Sequence, residues 1–322
     1  MKMRIMVGLV VLALTAGCGA PAAPQAVTVS PVNAMPGGAA EITEAPPGGN
    51  ADCGDREASS APLSPLPRPG AMPAGSTMAA IADRGRLVVG VDQGTNLFGS
   101  RNPATGDLEG FDIDLARELA RSIFGDPNRV DLRVVTAAER ETALEQGQVD
   151  LVVRTYSITC DRKAVVAFST PYYYTEQRIL AVKGSGISSA ADLSGKRVCA
   201  VKGTTSLSAL YALNPRPTLF GVANWPDCLV MLQQGQIDAI STDASVLQGL
   251  QQQDVKNLEL VGDSIGKEPY GVGVKKENED LVRFVNGALE QMRRDGTWER
   301  LYTTWLTSLG PSPGPPIARY QD

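Results

Sequence analysis

Two short polar stretches carry most of the chemistry this chain offers. VVRTYSITCDR, Val152 to Arg162, places Arg154, Thr155, Ser157, Thr159 and Arg162 directly after a buried apolar run. The planar fork of an arginine pairs with a carboxylate through two parallel hydrogen bonds, which no other side chain does as well. Read alone, Arg162 also fits a surface charge. KGTTS, Lys202 to Ser206, lies between a strand pattern and a helix pattern, so its backbone N–H groups and Lys202 form a small anion-binding corner. Thr204, Thr205 and Ser206 suit helix capping equally well, and both roles are expected together. The stretch lacks the longer GxxxxGK[ST] pattern, which argues against a nucleotide. Asp92 and Asp243 each close an apolar run, RLVVGVD and IDAISTD.

These residues share one kind of position. LEQGQVDLVVRT, Leu144 to Thr155, and LQQGQIDAISTD, Leu232 to Asp243, are near copies: a helix end broken at Gly147 or Gly235, an acid at Asp150 or Asp238, then a short buried strand. Ligands of open α/β sheets bind just outside the carboxyl ends of such strands. RLVVGV, FDIDLARELARSIF with apolar residues at helical spacing, and VDLRVV precede the first copy; KRVCAV, a helix from about Ser206, and TLFGV precede the second. The alternation of strand and helix predicts two lobes, each a doubly wound, mostly parallel sheet. PYGVGV and LVRFVNGALEQMRRDG have no place in the second lobe and are expected to return to the first, which makes a hinge of two crossing segments. The expected division is 77–180 with 270–309 for lobe one, 181–269 for lobe two and 310–322 for a tail.

The beginning of the chain points to export. Lys2 and Arg4, an apolar run from Ile5 to Ala16 too short to span a bilayer, and Gly17-Cys18 read as a lipoprotein signal over 1–17 with lipidation at Cys18. From residue 18 to 76 the sequence is rich in Pro, Ala, Gly and Ser, too poor in apolar periodicity to order itself as a domain, and is expected to be a tether. Without residues 1–17 the formal charge is about −7, mildly acidic and without a basic patch for nucleic acid. Cys53, Cys160, Cys199 and Cys228 remain, an even number in an exported chain, which predicts two disulfides. Cys199 and Cys228 fall in the same lobe and are expected to pair, leaving Cys53 with Cys160. A metal site is not expected, because no CxxC spacing occurs and the chain has no histidine. No cofactor is implied.

From Leu87 to Leu306 the sequence resembles the solute-binding proteins of the polar amino-acid ABC importers, the glutamine-binding-protein-like family, and among these the actinobacterial lipoproteins. GFDIDLARELA, RTYSITCDRK followed by FSTPYYY, KGTTS, IDAISTD, PYGVGV and NGALEQMRRDGTWERLYTTWL carry the likeness. The resemblance implies the two-lobed, type II periplasmic-binding-protein fold, and a ligand α-carboxylate on Arg162, helped by Ser157 and the backbone near Thr205. It implies an α-ammonium between Asp243 and the carbonyl of Thr155, with Asp92 and Lys202 lining the cleft at the ligand's polar end. Many relatives have a small residue where Arg154 stands and another residue where Cys160 stands, so substrate and loop are open to differ.

The leading expectation is therefore a monomeric receptor, lipid-anchored on the outer face of the cytoplasmic membrane, that delivers a polar amino acid to an ABC importer. Arg154 beside Lys202 favours aspartate or glutamate over asparagine or glutamine. A second expectation is a sensor whose closed form signals to a membrane partner. A third is a dehydratase on the same fold; without histidine, a Ser-His-Asp triad is excluded, and Asp92 would be a lone general acid. No enzyme activity is expected.

Overall fold

A computed structural model describes residues 35–48 and 51–321; the signal over 1–17 and Cys18 lie outside the described residues. The chain opens with β1 (Ala40–Glu41) and α1 (Thr77–Arg84), then β2 (Leu87–Val91) and a small antiparallel sheet of β3 (Gly94–Thr95), β4 (Gly99–Arg101) and β5 (Leu108–Glu109). Next come α2 (Phe111–Phe124), β6 (Val130–Val134), α3 (Arg140–Glu145), β7 (Leu151–Val152), α4 (Cys160–Val165) and β8 (Val166–Phe168). The long β9 (Tyr173–Val182) leads into β10 (Arg197–Val201), α5 (Thr205–Tyr211), β11 (Thr218–Val222), α6 (Trp225–Gln233), β12 (Ala239–Asp243) and α7 (Ala244–Gln251). The equally long β13 (Leu258–Tyr270) returns to β14 (Gly273–Lys275), α8 (Glu279–Arg294) and α9 (Thr297–Trp305).

Two sheets result. Lobe one has the order β6-β2-β7-β14-β8 and lobe two β1-β11-β10-β12-β9-β13. Each is built on three parallel strands, β6-β2-β7 and β11-β10-β12, and is extended by antiparallel ones, so both sheets are mixed. The cause is the hinge: β9 and β13 pair antiparallel from Tyr270↔Tyr173 to Leu258↔Val182, and antiparallel strands are what two oppositely directed crossings must form. Their tyrosine ends belong to the lobe-one core while their other ends pack in lobe two.

The repeated segment does the same work in both lobes. Gly147 and Gly235 adopt φ of 66° and 67°, the left-handed turn that ends a helix without a Cβ penalty. Asp150 Oδ2 then accepts the N–H of Val88 at 2.8 Å and pairs with Arg84, and Asp238 Oδ2 accepts the N–H of Arg197 at 2.8 Å and pairs with its guanidinium. In each lobe the acid thus fixes the start of the neighbouring parallel strand. On the two faces of the lobe-one sheet, α2, α8 and α9 bury Leu115, Leu119, Ile123, Phe284 and Trp298, and α3 buries Ala143 and Leu144 against Tyr156 and Phe168.

The tether expectation over 18–76 needs correction where that segment is described. Met35, Ala39 and Ile42 pack against the lobe-two core, and β1 adds to the edge of its sheet. Leu63, Leu66 and Met72 pack against the core of lobe one. Too few apolar residues make a core of their own, but scattered ones complete a neighbour's. The tail is also laid on lobe one, where Tyr320 forms a bridge with Ser59 and donates to Glu290 at 2.9 Å.

The cysteines pair as Cys53–Cys160 and Cys199–Cys228, with Cα separations of 5.4 and 5.7 Å. Cys199 on β10 and Cys228 on α6 are both fully buried and join sheet to helix. In the chain-entropy account, closing a loop of this length stabilises by about 3 to 4 kcal/mol. The double substitution Cys199→Ala and Cys228→Ala is therefore expected to lower Tm by about 10 °C. A melting curve that does not move would refute this.

Candidate functional site

Between the two lobes lies a small polar cleft, nearly filled by the side chains that line it. Lobe one lines it with Arg140, Arg154, Thr155, Ser157 and Arg162, and lobe two with Thr204, Thr205, Ser206, Trp225, Thr242, Asp243 and Val246. The walls come from the loops after β7, β10 and β12, at the carboxyl ends of parallel strands.

On the lobe-one side the loop after β7 is held in a demanding shape. Thr155 has φ of 38°, in the left-handed region that a β-branched residue rarely enters. Its N–H donates to Asp112 Oδ2 at 2.7 Å, and Asp112 Oδ1 accepts the Tyr172 hydroxyl at 2.8 Å. Burial raises the pKa of Asp112 to about 7 against these hydrogen bonds. The loop is then stitched to the hinge: the N–H of Ile158 donates to Pro269 O at 2.8 Å and that of Gly271 to Tyr156 O at 3.0 Å. Thr159 caps α4, its Oγ1 accepting the Arg162 N–H at 3.2 Å, which fixes where the Arg162 side chain begins.

Two arginines converge on the cavity around the Tyr156 ring, the carbon of the Arg140 guanidinium 4.2 Å and that of Arg162 4.9 Å from its centroid. Arg162 donates to Ser157 O at 2.6 Å and to Gly203 O at 3.0 Å, and lies 3.5 Å from Glu141. Arg140 is 2% exposed, and its hydrogen bonds go to the carbonyls of Ala137 at 2.9 Å, Gly203 at 2.8 Å and Arg154 at 3.5 Å. Burial lowers its pKa to about 9. Because Gly203 belongs to lobe two, both arginines also tie the lobes together. Further contacts across the cleft run from Asn96 to Gly249 O at 3.4 Å and from Gln252 to Ser308 at 2.8 Å, so the lobes stand closed.

On the lobe-two side Asp243 ends β12, buried, with Oδ2 accepting the Tyr270 hydroxyl at 2.5 Å. Its other oxygen, Oδ1, is buried and accepts no hydrogen bond among the described residues. Burial, then the charge of Glu268, pushes the pKa of Asp243 up to about 8. Glu268, itself buried, accepts the Thr205 hydroxyl at 3.0 Å. Thr204 Oγ1 accepts the Leu207 N–H at 3.2 Å as the cap of α5, and Ser206 and Thr242 bond to each other at 2.9 Å.

Seven of the residues singled out in the sequence, Arg154, Thr155, Ser157, Arg162, Thr204, Thr205 and Asp243, line this one cavity. Asp92 and Lys202 do not. Asp92 is 4% exposed and turned inward, accepting the Thr95 hydroxyl at 2.5 Å and lying 3.2 Å from Arg154. Lys202 points out of the cleft and donates to Gly38 O at 2.9 Å, because the turn before β1 offers a carbonyl on that side of the sheet. Arg140, Ser206, Trp225, Thr242 and Val246 complete the lining and were not anticipated as site residues. Arg140 sits between Glu139 and Glu141, where a run of charges reads as a solvated helix face. Ser206 and Thr242 did lie within the flagged segments.

The model of the bacterial extracellular solute-binding proteins, family 3, matches residues 87–308. The chain is 38% identical to the ABC transporter glutamine-binding protein GlnH of Bacillus subtilis over 71% of its own length and 84% of the relative's. It is 33% identical to the glutamate-binding protein GluB of Corynebacterium glutamicum over 71% of its length and 81% of the relative's. Among solved structures, the solute receptor for L-cysteine of Neisseria gonorrhoeae superposes with a TM-score of 0.71 at 27% identity, covering 74% of this chain and 98% of the other. An ancestral arginine-binding protein bound to glutamine superposes with a TM-score of 0.65 at 33% identity, covering 69% and 98%. The fold is the two-lobed, type II periplasmic-binding-protein fold.

Proposed function

The chain belongs to family 3 of the bacterial extracellular solute-binding proteins, and from that premise we propose that it closes on a polar amino acid and delivers it to an ABC importer. The observation that carries this reading is Asp243 Oδ1, a buried carboxylate oxygen with no donor among the described residues, on a cavity whose opposite wall holds Arg162. A buried acceptor left unmet is costly, and an ammonium group meets it. In this reading Asp243 and the Thr155 carbonyl take the α-ammonium, and Arg162 with Ser157 takes the α-carboxylate. The path from membrane to globule runs through lipidation at Cys18; among the described residues no helix is long and apolar enough to cross a membrane. A thermal-shift screen against the twenty amino acids tests the reading, because a ligand bound only by the native state raises Tm. A screen in which no amino acid moves Tm would overturn it.

For the side chain, aspartate and glutamate remain the proposed ligands, on altered grounds. Lys202 lies outside the cleft and Arg154 is neutralised by Asp92, so neither supplies a free positive charge. Arg140 supplies it: a buried guanidinium in the cavity wall whose hydrogen bonds go to main-chain carbonyls. Hydrogen bonds to charged groups exceed neutral ones by about 1 kcal/mol, so acids should bind several-fold to about tenfold more tightly than their amides. Calorimetric titration of all four into wild type and Arg140→Gln is expected to show the preference in the first and its loss in the second. Tightest binding of glutamine to wild type would refute the acid preference and leave the receptor reading standing.

A further inference from the structure

We propose that residues 35–48, with their attachment at 51–53, form a latch across the cleft that holds the lobes closed and slows release of the bound amino acid; this rests on the receptor reading above. The segment precedes the part of the chain matched by the family model, at residues 87–308. Its first attachment is to lobe two. Ala40 and Glu41 pair antiparallel with Gly221 and Phe220, and the Ile42 N–H donates to Leu219 O at 2.8 Å. Gly221 is the seat: a Cβ there would lie 2.6 Å from Ile42 Cδ1, so a larger residue would make the Ile42 side chain shift on the sheet edge. Lys202, from the same turn that supplies Gly203 to both cleft arginines, donates to Gly38 O at 2.9 Å.

The second attachment is to lobe one, at the helix that carries Arg162. Ala51 N–H donates to Asp161 Oδ1 at 3.0 Å, and Cys53 is bonded to Cys160. Just beyond, Arg56 donates to Lys267 O at 3.1 Å and Glu57 accepts the Tyr174 hydroxyl at 2.7 Å, on the two hinge strands. Gly48 already lies beside Asp161. Only six residues, 43–48, therefore join the attachment at Ile42 to the neighbourhood of α4, and fully extended they reach at most about 20 Å. Wide opening of the cleft must peel β1 from β11. One end of this strap is covalent and the other is held by a few edge hydrogen bonds and by Met35, Ala39 and Ile42 packed on the lobe-two core, which suits a tie that yields.

The test uses the full-length protein with L-glutamate as the probe and its dissociation rate as the readout. Ile42→Asp, which unseats β1, should raise that rate about three- to tenfold with little change in association. Glu41→Cys with Phe220→Cys, opposite each other in the pair, should release the ligand no faster than wild type when oxidised. A second readout needs no ligand: the distance between dyes on the exposed positions Val134 of lobe one and Val255 of lobe two, which Ile42→Asp should lengthen. If wild type binds no glutamate, the acid preference is at fault and the dye distance still decides the latch. An unchanged release rate together with an unchanged dye distance in Ile42→Asp overturns it, as does a crosslinked form that releases as fast as Ile42→Asp.

Discussion

Arg162→Ala is expected to abolish amino-acid binding while leaving the protein folded. Arg162 is mostly buried, and its guanidinium is aimed into the cavity by the cap at Thr159 and by its bond to Ser157 O at 2.6 Å. Without it the ligand's α-carboxylate would be desolvated on closure and left without its charged partner. Removing one partner of a buried ion pair costs roughly 3 to 5 kcal/mol, or about two to four decades of affinity. The variant also loses the bond from Arg162 to Gly203 O at 3.0 Å, one of the ties across the cleft, and both losses act in the same direction. Arg162→Lys should fall between, because it keeps the charge without the fork. Calorimetry and a melting curve on each variant check this. Near wild-type affinity in Arg162→Ala would place the carboxylate elsewhere.

Amino-acid affinity should rise steeply with pH up to about 8. The pKa of Asp243 is raised to about 8 in the folded chain by burial and by the charge of Glu268, with Tyr270, Arg162 and Arg140 acting in the other direction. Below that pH the carboxyl holds a proton that an ammonium must displace, so affinity should fall about tenfold for each pH unit below 8. Stability of the ligand-free protein runs the opposite way. A carboxyl with a raised pKa makes the folded state the better proton binder between about 4 and 8, so this group's contribution to stability declines as pH rises through that window. The rise in Tm produced by a saturating ligand should consequently be larger at pH 8 than at pH 6. Asp243→Asn should flatten the profile and weaken binding about ten- to hundredfold, as expected for loss of a charge-assisted hydrogen bond. A profile with the same slope in wild type and Asp243→Asn would assign the titration to another group.

The parts legible in the sequence were those governed by local rules. The repeated segment with its glycine caps at Gly147 and Gly235 reveals the parallel strands and where they end, and strand ends place Thr155 and Asp243. The Cys199–Cys228 pairing was legible for the same reason, since one strand and one helix of a single lobe bring the residues together. Directions of long side chains were not. Lys202 occupies the expected turn but reaches for Gly38 in the turn before a strand far earlier in the chain, and no periodicity announces a two-residue strand such as β1. Asp92 is expected to line the cleft, yet it turns inward to lie 3.2 Å from Arg154, which only the packing of β2 beside β7 makes visible. Arg140 was hidden for the opposite reason: it looks solvated between two glutamates, and only the stacking on Tyr156 buries it.

Gly203 adds a consequence of another kind. A side chain at that position would bring its first carbon within 2.7 Å of the Ala138 Cα, because the turn after β10 rests on the main chain that leads into α3. Main chain against main chain is a stop that no rotamer change can soften, so the two lobes approach to a fixed gap and no further. The cleft then works as a gauge of length. A ligand too short for the gap cannot draw the walls in after it and would leave the far end to water, whereas one too long would prop the stop apart.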